Sequence, residues 1–202
     1  AIVLLLNNRI GSMPAIGRVF NPYSGVVQNE KDILEDKTLT FSNRDFEIFF
    51  DQHRSPHLIA GNEDDMHFAQ GYVTAKDRLW QMDFMSYAAA GRLSEIIGRD
   101  YLQYDRLQRR MGMLSSAKET LIFMESNPET KKAMDAYTKG VNEWISRLND
   151  ADIPFEYKLM DYSPEPWTNL KSVLIMKYVG AMLTGYEEDI SASYMLAALG
   201  EE

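Results

Sequence analysis

Cysteine is absent from the 202 residues. That excludes disulfides, thiolate metal sites and a cysteine nucleophile within the chain. It leaves the compartment open, because a cysteine-free chain survives in either redox environment. Basic runs are also lacking: none is longer than a pair such as Arg109-Arg110, and 30 acidic residues against 21 basic ones give a net charge of −9. Such a surface repels phosphate backbones and anionic headgroups, which argues against nucleic-acid and peripheral-membrane roles. The apolar opening Ala1-Ile2-Val3-Leu4-Leu5-Leu6 is far shorter than the roughly 20 residues a membrane span needs. It reads either as a buried strand or ordered tail, or as the stub of a removed signal or anchor segment.

Recognisable catalytic motifs are equally scarce. The three histidines, His53, His57 and His67, do not have zinc-helix spacing, so they read as surface or hydrogen-bonded side chains. There is no Gly-x-Ser-x-Gly elbow and no phosphate-cradling glycine loop. Glu63-Asp64-Asp65 lacks the alternation of a calcium loop and reads as a solvated helix start.

What is present is a core. Apolar residues make up 45% of the chain and aromatics 11%, which places it among globular proteins. Residues 1–36 have no sustained period, so they read as an irregular segment. From residue 37 the pattern changes: Lys37–Phe41 and Phe46–Phe50 are β-rich runs joined by a polar turn, a predicted hairpin that His57–Ala60 extends. Asn62 predicts a helix N-cap, with apolar residues recurring at Met66, Ala69, Tyr72 and Val73. A second helical stretch runs from about Thr74 to Ala90 with Leu79, Met82 and Met85 or Ser86 on one side. Gly91 and Gly98 bracket a short turn of helix. Helices follow near 100–112, 113–126 and 129–149, the last with Met134, Tyr137, Val141, Trp144 or Ile145, and Leu148 at helical spacing. Pro154, Pro164 and Pro166 predict an extended connection before two final helices at about 168–184 and 187–199. The layout is α+β and mostly helical, with too few strands to close a sheet face alone, so it reads as part of a larger fold.

Several strings occur in a telling order: DQHRSPHLIA from Asp51, AKDRLWQMD from Ala75, and AGRLSEIIG from Ala90. They are followed by Asp105 with Arg109 or Arg110, then Gly140-Val141-Asn142, and Pro164-Glu165-Pro166-Trp167. As an ordered series they resemble the blocks of the penicillin acylase family, over about residues 37–200. The side chains themselves read as structural: Asp77 and Arg78 in ion pairs and helix-end hydrogen bonds, Arg92 and Glu95 likewise, Trp80 and Met82 in packing.

The resemblance implies the α (small) subunit of an N-terminal-nucleophile amidohydrolase, with residues 37–202 as the α-subunit region. It implies a four-layer αββα fold completed by a separate β chain from the same precursor. In that family the nucleophile is the first residue of the β chain, usually serine, whose own amine acts as base. The oxyanion donors lie there too, so no catalytic residue is assigned to this chain. The α subunit supplies one wall of the acyl pocket, which the resemblance assigns to Met182 and Tyr186. Gly185 departs from the arginine of penicillin G acylases, which puts penicillin G in doubt as substrate. A structural calcium is implied, with Asp189 as the α-chain ligand and Glu188 or Glu187 as alternatives. The family's enzymes are periplasmic or secreted, in keeping with a signal or membrane anchor upstream of residue 1. Two other readings stay open: an acyl-homoserine-lactone or fatty-acyl amide acylase on the same scaffold, and a non-catalytic helical binding module.

Overall fold

The computed structural model describes residues 8, 15–17, 19–21, 38–41, 44–150, 152–184 and 188–200. Most of the 1–36 segment lies outside them. The described part begins with a three-stranded antiparallel sheet in the order β1 (Thr38–Thr40), β2 (Phe46–Phe50), β3 (Pro56–Ala60). The predicted hairpin is β1–β2, with Leu39 opposite Ile48, and the expected extension is β3, with Ile48 opposite Leu58. Side chains alternate across a strand, so Phe46 and Ile48 are buried while Glu47 between them is exposed. The inner face packs Phe41, Phe46 and Ile48 against Phe68 and Tyr72 of the first helix.

That helix, α1 (Glu63–Ala90), runs through the centre of the body. Asn62 caps it as the sequence indicates, its side chain accepting from the Asp65 amide at 2.9 Å. The two helical stretches expected here are one element, interrupted at Arg78 (φ −137°, ψ 17°). Ala69, Tyr72, Val73, Leu79, Met82 and Ser86 are buried as their spacing predicts, but Met66 is exposed. Asp65 turns inward instead: its carboxylate accepts from the Arg44 guanidinium at 2.8 Å and the Asp45 amide at 3.2 Å, joining sheet to helix.

Among the described residues seven more α-helices follow: five complete the body and two lead out of it. After α1 come α2 (Leu93–Ile97), a 3₁₀ turn (Arg99–Tyr101), α3 (Leu102–Arg110), α4 (Met113–Glu125) and α5 (Pro128–Arg147). The face predicted on α5 is the one that packs: Val141 is fully buried, with Tyr137, Trp144, Ile145 and Leu148 around it. Helices α1 and α5 approach so closely that a side chain on Gly71 would strike the Tyr137 carbonyl, and one on Gly140 the Phe68 carbonyl. The proline-rich connection differs from expectation. It contains a short helix, α6 (Phe155–Met160), because Tyr157 and Lys158 are pulled wholly into the core. Helices α7 (Asn169–Leu183) and α8 (Glu188–Leu199) end the described chain. The four-layer αββα arrangement needs more sheet than these three strands supply.

Candidate functional site

The ordered strings after DQHRSPHLIA, which forms the β2–β3 turn and β3, converge on one region. Gly91 ends α1 in the left-handed conformation (φ 66°), which glycine adopts without strain, and the chain turns at once into α2. The turn is gripped from α3. The buried Asp105 carboxylate accepts from the Leu93 and Ser94 amides at 2.8 and 2.9 Å and from the Ser94 hydroxyl at 2.5 Å. It caps α2 from a distance, since Arg92 at the N-cap position offers no side-chain cap. Arg109, rather than Arg110, donates to the Gly91 carbonyl at 3.0 Å.

Arg92 links this turn to the Pro-Glu-Pro-Trp string. Its guanidinium donates to Glu95 at 2.7 Å and to Glu165 at 2.9 Å, and lies 4.4 Å from the centre of the Tyr87 ring. Asn142 fastens the other side of that string: its amide oxygen accepts from the Trp167 N–H at 2.8 Å, and its nitrogen donates to the Trp167 carbonyl at 2.9 Å. Behind Glu165 lies a buried ion pair. The Lys171 ammonium of α7 stands 2.8 Å from Asp83 of α1 and 3.4 Å from Glu165. Tyr157 donates to the other Asp83 oxygen at 3.2 Å.

The electrostatics of this belt follow from burial and partners. Bonding to Arg92 holds the Glu165 carboxyl well below its ordinary range, at about 2, with further help from Tyr87 and Lys171. Asp83 goes the other way. Desolvation raises it, and the adjacent ammonium only partly offsets that cost. The Tyr157 hydroxyl is likewise pushed far up by burial and by the charge of Asp83. This is a fastening, not a catalytic array: every charged group in it already faces a partner.

The expected roles of Arg92, Glu95, Trp80 and Met82 agree with this geometry, Trp80 stacking on Phe84 at 4.9 Å and Met82 lying in the core. Asp77 and Arg78 do not behave as expected. Both are exposed, and no ion pair joins either of them to another described residue. Sequence reasoning missed Lys171 and Tyr157 altogether. The signal was a lone lysine inside an otherwise apolar helical face, where a charge survives only if paired.

The residues assigned to the acyl pocket and metal lie at the opposite extreme of burial. Helix α7 is buried at its root, through Val173 and Leu174, and exposed from Val179 onward. Met182 sits one residue from its end, about half exposed. Tyr186, Gly185 and Glu187 lie outside the described residues, as does the side chain of Glu188. Asp189, the second residue of α8, is exposed. Among the described residues no group of three acidic or histidine side chains converges to hold a metal ion. His53 and His57 are exposed, and His57 stacks on Phe49 at 4.6 Å. Helix α8 carries Ile190, Tyr194, Met195, Leu196 and Leu199 open to solvent. No described helix is long and apolar enough to cross a membrane.

The penicillin amidase family model matches residues 45–202. A penicillin acylase 2 proenzyme from a Pseudomonas species is 35% identical over 63% of this chain, and an acyl-homoserine lactone acylase of Pseudomonas syringae pv. tomato is 32% identical over 73%. Penicillin G acylase of Escherichia coli is 26% identical over 78%. The chain spans only 16%, 18% and 19% of these relatives' lengths. A structure of the thermostable penicillin G acylase from Alcaligenes faecalis superposes with a TM-score of 0.64 at 25% identity, over 77% of this chain and 83% of the solved one. Ordered strings, the helical body they fasten and these likenesses agree: the chain belongs to the penicillin amidase family.

Proposed function

We propose that this chain is the α subunit of a heterodimeric amidohydrolase that cleaves the amide of an acylated amine. Its nucleophile is the N-terminal serine of a larger β chain cut from the same precursor. The observation that carries the reading is the open apolar end of the molecule: the tip of α7 and the whole of α8 expose large apolar side chains that a water-facing helix does not carry. Met182 and Tyr186 form part of the acyl wall. Met adapts its shape to the acyl group, and a tyrosine ring offers it a flat apolar face. The relatives named above include a proenzyme several times longer than this chain, whereas the solved chain is matched over most of its length, which supports processing into a short and a long chain. Asp189, or Glu188, supplies a carboxylate oxygen to an interfacial calcium, a hard donor of the kind Ca²⁺ prefers. The enzyme works in the periplasm or is secreted.

The acyl group favours a second reading on the same scaffold. Gly185 stands where penicillin G acylases carry arginine, and relatives at 32% identity or more include acyl-homoserine lactone acylases. A fatty-acyl amide is therefore a rival to a phenylacetyl amide. The test is to express the whole precursor, sequence the N-terminus of the chain that accompanies this one, and replace that residue. Serine there, with turnover lost on its replacement, bears out the reading. An unaccompanied chain, or activity surviving the replacement, overturns it.

A further inference from the structure

Helix α7 is attached to the body along one line. Residues seven and eleven positions apart lie within about 20° of the same helix face, which sets Lys171, Tyr178 and Met182 in one stripe. Lys171 is bound at the root by Asp83 and Glu165. Tyr178, two turns on, packs between two apolar clusters, and its hydroxyl lies 3.0 Å from that of Tyr104 on α3. Beyond Tyr178 every described residue of α7 is exposed. Among the described residues the tyrosine pair is thus the last tether before Met182, one turn away. Its far side is rigid: α3 is bonded through Asp105 and Arg109 to the turn at Gly91–Ser94, and through Arg92 and Glu165 back to Lys171. The polar belt closes on itself, with α7 as one of its sides.

We infer that Tyr178 and Tyr104 are positioning residues for acyl selection, their hydroxyl bond setting the height and rotation of the α7 tip that presents Met182. This rests on the reading of that tip as a pocket wall. Neither tyrosine touches the acyl group. Without the bond, packing of the Tyr178 ring is the contact that holds the last turns of α7 among the described residues, and Met182 moves relative to the rest of the wall. Small displacements of a pocket wall are felt most by the acyl group that fits it best.

The experiment uses the processed enzyme from the whole precursor, with phenylacetyl, hexanoyl and dodecanoyl amides of one chromogenic amine as probes. Tyr178→Phe and Tyr104→Phe keep both rings and remove one hydroxyl each. Each should shift the ratios of kcat/KM among the three acyl groups by about threefold to tenfold, in the same direction. The double variant should go no further than either single one, since both lose the same contact. A merely structural role would lower all three rates by a common factor, and that outcome overturns the inference. Met182→Ala separates the two levels. Ratios moved by Met182→Ala but by neither tyrosine variant overturn the positioning role alone. Ratios unmoved by Met182→Ala overturn the pocket reading, and this inference with it.

Discussion

Lys171 and Met182 lie on the same face of one helix, three turns apart, in inverted environments. The lysine is 8% exposed and the methionine 51% exposed. Hydropathy alone would exchange them. The difference is one of partners: Lys171 reaches two carboxylates in the body, whereas the tip of α7 extends past the last element that packs on it. The polar belt of the body is saturated, each of its charged groups facing a partner. The arm formed by the α7 tip and α8 carries apolar surface that no other described element covers. Most of the strings shared with the family lie in that belt, so they report how the scaffold is fastened. Selectivity is sought in the other half.

The harshest way to break this comparison is at the root of the arm. Asp83→Ala leaves the Lys171 ammonium buried beside a single, more distant carboxylate. Removing one member of a buried pair costs about 3–5 kcal/mol, since the survivor's desolvation is no longer offset. Urea unfolding of the processed enzyme should show a loss of that size. Asp83→Leu combined with Lys171→Met should recover most of it, because apolar replacement of a whole buried pair is often neutral. A single variant within about 1 kcal/mol of the parent would mean the body is less saturated than its geometry indicates.

A second test addresses the α1–α5 crossing. Gly140→Ala drives a methyl into the Phe68 carbonyl, which is backbone and cannot swing aside. Overpacking of this kind costs about 1–3 kcal/mol, and the upper end is expected here. The same measurement checks it. An unchanged midpoint would show that the two helices separate freely.

These two sites also mark what was legible in the sequence. The strands, the Asn62 cap and the packing stripe of α5 follow from local pattern, because each is set by neighbours within a few residues. Helix α1 was harder to read. It is surrounded on several sides, and residues 86–90 are all buried, so no single apolar face stands out. The short helix α6 was hidden between prolines and is held by long-range contacts of Tyr157 to α1. The belt could be located by its strings but not its chemistry: Asp105 caps a helix twelve residues earlier in the chain, a relation without local spacing. Met182 and Asp189 were named by likeness alone, and nothing in their own surroundings marks them.

The arm gives a third, smaller effect. Leu196 is 54% exposed, so Leu196→Ala should leave the unfolding of this chain within about 0.5 kcal/mol of the parent. If the β chain covers α8, the same change should weaken reassembly of the separated chains by about 2 kcal/mol, or about 30-fold in Kd. Equal Kd values for parent and variant would put α8 outside the interface.

The smallest effect has the most informative pH dependence. The Glu165 carboxyl is depressed from 4.5 to about 2, chiefly by its bond to Arg92. A depressed acid stabilises the fold above its unfolded pKa, and that contribution is lost as pH falls from about 4.5 towards about 2. Glu165 is more than a third exposed, so solvent screening limits the contribution to about 1 kcal/mol at most. Asp83 has the opposite sign. Its raised carboxyl costs stability when ionised, and protonation on acidification relieves that cost. The two acids of one belt therefore pull the acid limb in opposite directions. Glu165→Gln should remove the half that stabilises the fold at neutral pH and is lost in acid. The variant should melt below the parent at about pH 7, with the gap closing through the window from about 4.5 to about 2. Melting curves of parent and variant at a few pH values across that range decide it. A gap that stays constant would mean that Glu165 acts through its shape and hydrogen bonds, and that the charge of the belt contributes nothing to holding α7.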